Sequence, residues 1–406
     1  MIDLREPTLD VQPRVLEISG ESAFAYLALA RRLSREGRKI ISFGIGQPDY
    51  PTPSHIREEA KRALDEGFTG YTETAGIVEL REAIAFYLNS RYKADVDPEE
   101  IIVTTGAKTA IFVAIATYVR PGDEVIITDP AYNAYAQATK LFGGRPVLVP
   151  LDFEPGVGFR LDVERVRRSI SERTRMIVIN SPHNPTGTII PREQVDEIYE
   201  IAKKHNLILL SDEIYDNFLY EPQKFKSVLE FPDWRSNVVY VNGFSKTFSM
   251  TGWRLGYLVA RREVIPKMID IAVTVYSNAT SFAQKGAVAA IRGSWEPVYE
   301  MIEEFKRRAD VLYKVLSDSE YIEAYRPEGA FYMFPRVSKF LEKSKMSAEQ
   351  LVKYLLYEHG VLVLPGSAFS ERDWQHIRFS FATKVKDIIE GGKIVVEALR
   401  NYRTIS

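Results

Sequence analysis

The sequence predicts an α/β fold in which a mostly parallel β-sheet is covered by helices on both faces. Its short apolar runs, rich in Val and Ile, lack the polar alternation of a strand that has one solvent face, which indicates strands buried on both sides. Helical patterns stand between these runs, and this repeated order is typical of parallel sheets. The predicted strands of this part of the chain are 39–43, 101–105, 125–128, 176–180, 207–212 and 238–241.

The helices are predicted where apolar residues recur at helical spacing. They cover residues 22–33, 56–66, 109–119 and about 297–316. Beyond the last of these, helices alternate with predicted strands at 330–334, 361–364 and 376–381. The helix at 297–316 is long enough to link two domains.

The composition is that of a globular protein with small-molecule partners. The chain has 406 residues, of which 45% are hydrophobic and 27% charged, so it is long enough for two domains. Its 53 basic and 55 acidic residues give a net charge of −2, which argues against a dedicated nucleic-acid surface.

Several classes of site are disfavoured by the residues that the chain lacks. It contains no cysteine, which excludes disulfides and thiolate chemistry, and its five histidines lack the spacing of metal ligands, so we predict no metal site. The apolar run 109–119 is bounded by Lys108 and Arg120 and is too short to cross a bilayer. Because the N-terminus has no apolar signal core, we expect a cytoplasmic protein without membrane partners.

Residues 242–256 favour a specific chemistry. Lys246 follows a predicted strand, and ligands in open α/β sheets bind beyond the carboxyl ends of the strands. Arg254 follows in the same stretch. An amine that forms Schiff bases, beside a guanidinium that binds anions, suggests pyridoxal phosphate. For either residue alone, the alternative is a solvated surface cation.

Two segments match nucleotide-binding loops only in part. Gly44 and Gly46 lack the third glycine of a dinucleotide fingerprint, and Pro48 stands where the helix would begin. Lys108-Thr109 lacks the glycines of a P-loop. The predicted turn 106–108 nevertheless precedes a helix, whose first N–H groups form a natural phosphate site.

Asp212 ends an apolar strand. Burying an unpaired carboxylate costs roughly several kcal/mol, so this residue needs a cationic or hydrogen-bonded partner. A protonated pyridine nitrogen would supply one.

Residues 242–256 closely resemble the Schiff-base lysine motif of the class I aminotransferases, which are fold-type I pyridoxal phosphate enzymes. Other segments are similar to motifs of this family and follow the family order: Tyr71 with Gly76 and Leu80-Arg81, Asn184-Pro-Thr-Gly187, and the strand around Arg378. The resemblance implies a large domain with a mostly parallel seven-stranded sheet at 51–295 and a smaller α+β domain at 296–406. Residues 1–50 would form an N-terminal arm and part of the small domain.

The resemblance also implies roles for the matching residues. Lys246 would bind pyridoxal phosphate as a Schiff base and move the substrate proton, while Asp212 would keep the ring nitrogen protonated. Tyr132 would stack on the ring, and Asn184 and Tyr215 would bind the 3′-oxygen. The phosphate would be bound by Gly106, Ala107, Lys108, Ser245, Arg254 and Tyr71 of a neighbouring subunit, and the substrate by Gly46, Asn184 and Arg378.

Each match has a plainer alternative. Tyr71 and Tyr132 would be packed aromatics, Asn184 would start an ordinary turn, and Arg378 would form a structural salt bridge. The sequence also departs from the family at Gly243, where many relatives have a serine that contacts the phosphate. Ser245 is a candidate replacement.

The implied function is ping-pong transamination. We expect aspartate as amino donor and 2-oxoglutarate as acceptor, with aromatic amino acids, kynurenine or alanine as alternative donors. Lys108 and the N-terminal segment are candidates for binding a second carboxylate. A carbon–sulfur lyase or a decarboxylating relative would use the same lysine and aspartate. A ligand-sensing transcription regulator would need a DNA-binding domain, for which we expect too little chain before residue 43. The contribution of Tyr71 to a neighbouring site predicts a homodimer.

Overall fold

The computed structural model describes residues 13–20, 22–372 and 374–403, so the first part of the predicted N-terminal arm lies outside the described residues. The helices are α1 (Pro13–Leu16), α2 (Ser22–Arg35), α3 (Ser54–Asp65), α4 (Val78–Tyr92), α5 (Ala107–Tyr118), α6 (Ala134–Leu141), α7 (Val163–Arg168), α8 (Arg192–Lys204), α9 (Ile265–Tyr276), α10 (Ser281–Arg292), α11 (Glu296–Leu316), α12 (Ser338–Ser344), α13 (Ala348–His359) and α14 (Val385–Asn401). The strands are β1 (Ile41–Ser42), β2 (Ile101–Thr104), β3 (Glu124–Asp129), β4 (Arg145–Pro150), β5 (Asp152–Glu154), β6 (Gly158–Arg160), β7 (Thr174–Asn180), β8 (Ile208–Asp212), β9 (Val238–Gly243), β10 (Gly256–Val259), β11 (Tyr332–Met333), β12 (Val361–Leu362), β13 (Leu364–Pro365) and β14 (Ile377–Ser380). Among the described helices, none has the length and apolar character that crossing a membrane requires.

A seven-stranded sheet forms the centre of the molecule, with the strand order β2-β10-β9-β8-β7-β3-β4. The neighbours from β9 to β4 pair in parallel, whereas β10 is antiparallel to both β2 and β9. The predicted mostly parallel sheet is therefore confirmed. Because β10 reverses direction, β2 again runs the same way as the parallel strands.

Both faces of this sheet are buried, as the unbroken apolar strands predicted. In β2, Ile101 and Val103 belong to a core that includes residues of α3, α4, α8 and α10, whereas Ile102 belongs to a second core with α5, α6 and α9. Successive side chains of a strand point to opposite faces, so an apolar run supplies both cores. Each fully buried aliphatic side chain contributes about 1.5–3 kcal/mol to stability.

A third core lies around the short sheet β11-β14-β13 and the helices α11 to α14. Ile41 and Phe43 belong to this core, and β1 pairs in parallel with β12. The N-terminal residues 41–43 thus pack with the C-terminal part of the chain. The predicted domain boundaries at residues 50 and 295 stay predictions.

Two local expectations were wrong. The strand β9 does not end before Asn242 but continues to Gly243, because these two residues pair with Tyr257 and Gly256 of β10. Ala107 and Lys108 are not part of a turn but form the first turn of α5. Arg254 lies at the end of the loop that follows β9, just before β10, and the antiparallel direction of β10 brings it to the same edge as the carboxyl ends of the other strands.

Candidate active site

The candidate residues meet at one edge of the seven-stranded sheet. Parallel strands place their carboxyl ends together, so the residues that end or follow β3, β7, β8 and β9 lie side by side. These residues are Tyr132, Asn184, Asp212 and Lys246. The turn that follows β2 adds Gly106 to the same edge.

A cavity of about 630 Å³ opens at this edge. Most of the predicted site residues line it: Gly46, Ala107, Lys108, Tyr132, Asn184, Asp212, Tyr215, Ser245, Lys246, Arg254 and Arg378. Two predicted residues are not part of its wall. Gly106 directly precedes Ala107 in the chain but does not itself line the cavity, and the side chain of Tyr71 is 93% exposed.

Lys246 projects from the loop after β9 into the cavity. Its Nζ atom donates a hydrogen bond to the carbonyl oxygen of Gly46 at 2.6 Å. The same atom lies 6.0 Å from the ring centroid of Tyr215 and 5.8 Å from that of Phe331. The amine therefore stands beside the backbone segment that the sequence predicted to contact the substrate.

Asp212 is a buried carboxylate held by two donors. Its exposed fraction is 3%, and burial raises its pKa to about 6. Tyr135 donates its hydroxyl to Oδ2 at 2.7 Å, and the backbone N–H of Ile214 donates to Oδ1 at 3.2 Å. These hydrogen bonds and the charge of Lys246 oppose the effect of burial on the pKa. A protonated ring nitrogen would give this buried carboxylate a cationic partner.

Helix α5 and Arg254 form a concave anion site. Gly106 precedes the helix with a φ of 96°, a conformation that favours glycine, and a Cβ atom there would lie 2.5 Å from Nη2 of Arg254. Arg254 donates to the carbonyl oxygen of Thr251 at 2.9 Å and to that of Thr105 at 3.4 Å. The unpaired N–H groups of a first helical turn and a guanidinium together suit a phosphate.

The glycine at position 243 has a steric explanation. Gly243 pairs with Gly256 across β9 and β10, and a Cβ atom at 243 would lie 3.0 Å from the Cα atom of Gly256 and 3.1 Å from the carbonyl oxygen of Leu255. A side chain there would press on this backbone. Ser245 is buried and lines the cavity. Its contact with a phosphate stays a prediction.

Arg378 enters the cavity from β14 and is 96% buried, with 4% of its surface exposed. Its Nη1 donates to Oδ1 of Asn184 at 3.0 Å, and its Nη2 donates to the carbonyl oxygen of Gly44 at 2.6 Å. Asn184 is fixed in turn, because its N–H donates to Oδ1 of Asn180 at 2.9 Å. The guanidinium thus joins the segment 44–46 to the loop after β7.

Sequence reasoning missed two tyrosines of the site. Tyr135 lies on α6, and its hydroxyl reaches Asp212 as described above. Tyr332 lies on β11, and its hydroxyl is 2.7 Å from that of Tyr215. The only sequence signal for Tyr135 is that it stands three residues after Tyr132. Tyr332 has none, since it reaches the cavity through the packing of distant segments.

The comparisons with known proteins agree on one family. Residues 38–390 match the family described as aminotransferase class I and II. The chain is 50% identical to the aspartate aminotransferase of Sulfurisphaera tokodaii, over 96% of this chain and 98% of that protein. The structure of an aspartate aminotransferase from Thermus thermophilus with maleate aligns with a TM-score of 0.90 at 35% identity, covering 96% of this chain and 99% of that one. An aromatic aminotransferase from Pyrococcus horikoshii aligns with a TM-score of 0.85 at 36% identity, covering 92% and 98%.

Proposed function

The chain belongs to the class I and II aminotransferases, which use pyridoxal phosphate, and on this premise we propose that it transfers the amino group of L-aspartate to 2-oxoglutarate. The observation that carries the proposal is the gathering of Lys246, Asp212, Arg254 and Arg378 around one cavity at the edge of the sheet. The match to an aspartate aminotransferase at 50% identity supports the choice of amino donor.

The residues of the cavity fit pyridoxal phosphate. Arg254 and the first turn of α5 offer cationic and N–H donors to a phosphate, and the glycine at 106 keeps the concave space between them open. Asp212 offers a buried acceptor to a protonated ring nitrogen. Lys246 offers the amine that would hold the cofactor covalently, and Tyr132 offers an aromatic face.

When bound, the cofactor supplies an electron sink for the pair of electrons that remains when the Cα–H bond of the substrate breaks. Lys246 would carry the proton of that bond. Its Nζ atom lies 2.6 Å from the carbonyl oxygen of Gly46, next to the segment held by Arg378. An amine in this place acts as a general base toward a nearby Cα and then as a general acid.

The other polar residues would orient the bound molecules. Asp212 would pair with the protonated ring nitrogen, so that the negative charge of the carboxylate and the positive charge of the ring neutralise each other where both are buried. Asn184 and Tyr215 would donate to the 3′-oxygen. Arg378 would bind the α-carboxylate of the substrate, because a planar guanidinium presents two parallel donors to a carboxylate.

Lys108 is the residue that we propose for the second carboxylate of aspartate. Among the described residues of the cavity wall, it is the second lysine beside Lys246. Its Nζ atom lies 5.7 Å from the ring centroid of Tyr132, so it stands on the same side of the cavity as this ring. A dicarboxylic substrate would then be held by a cation at each end.

A substrate panel tests this proposal. The protein with bound cofactor is mixed separately with aspartate, glutamate, alanine, tyrosine, phenylalanine and kynurenine, and the absorption of the cofactor is followed during a single turnover. We expect aspartate and glutamate to react fastest. In Lys108→Ala, the ratio of kcat/KM for aspartate to that for alanine should fall about tenfold or more, the loss of one charge-assisted contact. Faster reaction with tyrosine or phenylalanine would instead support an aromatic aminotransferase.

We also infer a homodimer in which Tyr71 reaches the neighbouring site. The side chain of Tyr71 is almost fully exposed in the single chain, although an aromatic ring favours burial. The resemblance of its segment to the family motif supports the same role. The cytoplasmic location expected from the sequence stays a prediction.

A further inference from the structure

Tyr332 occupies a central place in the candidate site although no motif marks it. It lies on β11 opposite Ser380 of β14, the strand that carries Arg378. Its side chain is 1% exposed and lines the cavity. A tyrosine this deeply buried needs a hydrogen-bond partner for its hydroxyl, and Tyr215 provides one.

The hydroxyls of Tyr332 and Tyr215 lie 2.7 Å apart, and either could be the donor. Each hydroxyl has one proton. If Tyr215 donates its proton to the 3′-oxygen of the cofactor, as proposed above, Tyr332 must be the donor in the tyrosine pair. The order of donation is then Tyr332 to Tyr215 to the ring oxygen, and hydrogen bonds in such a chain strengthen one another.

The ring of Tyr332 makes a second and separate contact. The Cζ atom of Arg378 lies 4.5 Å from its centroid, and 4.6 Å from the centroid of Phe369. A guanidinium that lies over an aromatic face is attracted to the ring, and this attraction holds the orientation of the guanidinium plane. The Nη1 and Nη2 atoms of Arg378 donate to Asn184 and Gly44, so the ring supports the guanidinium from a direction that these hydrogen bonds leave open.

The backbone at Gly46 makes room for this hydroxyl. A Cβ atom at position 46 would lie 2.0 Å from the hydroxyl oxygen of Tyr332 and 2.9 Å from its Cζ. A residue with a side chain could therefore not stand here without displacing Tyr332. The hydroxyl of Tyr332 thus packs directly against residues 44–46, the segment that is predicted to contact the substrate.

We propose that Tyr332 is a positioning residue with two separable parts: its hydroxyl orients the hydroxyl of Tyr215 toward the cofactor, and its ring holds Arg378 in the plane that binds the α-carboxylate. The inference rests on the proposed function, because it takes the roles of Tyr215 and Arg378 from it.

Two substitutions separate the two parts. Tyr332→Phe removes the hydroxyl and keeps the ring, whereas Tyr332→Leu removes both. Hydrogen bonds to the 3′-oxygen favour its anionic form, so a weaker bond from Tyr215 raises the pH at which the bound cofactor loses its proton. Among the described residues, the charged groups that face the tyrosine pair are Asp212, Lys246 and Arg378, and both variants keep all three.

The first measurement is a pH titration of the cofactor absorption. In Tyr332→Phe we expect the midpoint to rise by roughly half a pH unit, and KM for amino acids to stay within about twofold. The matched control is Tyr220→Phe, which removes another buried hydroxyl, one that donates to the carbonyl oxygen of Ala330. It should leave the midpoint unchanged. An unchanged midpoint in Tyr332→Phe would overturn the hydroxyl part, and so would a lower one, which would mean that Tyr215 donates to Tyr332.

The second measurement is KM. In Tyr332→Leu we expect KM for both aspartate and alanine to rise about tenfold above that of Tyr332→Phe, because every amino acid has an α-carboxylate. Equal KM values in the two variants would overturn the ring part. Thermal unfolding of each variant checks that it is folded. A wild-type protein that shows no cofactor absorption would overturn the proposed function itself. A variant that behaves like the wild type would overturn only the inference about Tyr332.

Discussion

At Asp212, hydrogen-bond donors reach both carboxylate oxygens. The hydroxyl of Tyr135 and the N–H of Ile214 fix the plane of the carboxylate. Burial alone favours the protonated form, and these donors favour the ionised form. The charge of Asp212, which the proposed contact with the ring nitrogen needs, therefore depends on a tyrosine that never touches the cofactor in this proposal.

Tyr135→Phe should make cofactor binding more sensitive to acid. Losing a charge-assisted hydrogen bond worth about 1.5–3 kcal/mol raises the pKa of Asp212 further above about 6, by roughly one to two pH units. The affinity for pyridoxal phosphate, measured by titration between pH 5 and 9, should then begin to fall at a correspondingly higher pH than in the wild type.

A matched control for this prediction is Tyr92→Phe. Tyr92 is also buried and donates to an aspartate, Oδ2 of Asp216, at the same distance of 2.7 Å. Its loss should lower stability but leave the pH dependence of cofactor affinity unchanged. If both variants behave alike, Tyr135 has only a structural role.

The neighbouring Glu213 points away from the cavity into a second buried polar site. Its Oε1 accepts from the N–H of Val228 and the hydroxyl of Ser211, both at 3.0 Å, and burial raises its pKa to about 8. The folded protein thus holds a proton here that the unfolded chain releases above its ordinary pKa of 4.5. Stability linked to this group is complete below pH 4.5 and is lost as the pH rises through 8.

Glu213→Gln should remove the loss of stability at high pH, because the amide of glutamine stays neutral at every pH. We expect the free energy of unfolding of the variant to exceed that of the wild type at pH 9, and the difference to shrink toward pH 5, at up to about 1.4 kcal/mol per pH unit. Urea unfolding at several pH values measures this. Glu303→Gln, an exposed substitution of the same kind, should show no such trend.

At the scale of elements, the start of α5 illustrates what the sequence can predict. The glycine before a helix indicated a phosphate site, but the helix begins two residues earlier than the periodicity predicted, at Ala107. Five of the seven strands of the large sheet, β2, β3, β7, β8 and β9, were predicted closely, because β-branched apolar runs are distinctive. The strands β4 and β10 were not predicted, and the antiparallel direction of β10 could not be, since a strand sequence does not say which way its neighbour runs.

Gly106→Ala should weaken cofactor binding more than folding. The positive φ of Gly106 would cost about 1–3 kcal/mol in strain, and the new Cβ atom would displace Arg254. We expect the affinity for pyridoxal phosphate to fall tenfold or more. Gly122 offers a control, because it has a φ of 90° and an added Cβ atom would meet nothing within 4 Å. Gly122→Ala should lose stability and keep the cofactor affinity.

At the scale of the whole molecule, the site draws on segments from the entire chain. Gly46, Asp212, Lys246, Tyr332 and Arg378 come from both ends and the middle of the sequence. Four of them were predicted: Lys246 and Arg378 from motifs, Asp212 from its place at the end of an apolar strand, and Gly46 from the family resemblance. Tyr332 escaped because its importance depends on where β11 packs, which no local pattern contains.

The proposed dimer predicts that two inactive subunits can restore one active site. In a hybrid of a Lys246→Ala subunit and a Tyr71→Ala subunit, one site has both defects and the other has neither. The hybrid, isolated with two affinity tags, should have about half the wild-type activity per dimer. If it is no more active than the average of the two parent dimers, Tyr71 acts within its own chain or not at all.

The close pairing of β9 with β10 restricts the length of the loop between them. Lys246 stands near the end of one strand and Arg254 just before the other, and the pairing of Gly243 with Gly256 closes this loop at its base. The separation of the amine and the guanidinium is therefore set by the number of residues in a closed loop. Insertions and deletions accepted in other surface loops would here change the size of the molecule that the cavity admits, so this loop should keep a constant length wherever the same cofactor is used.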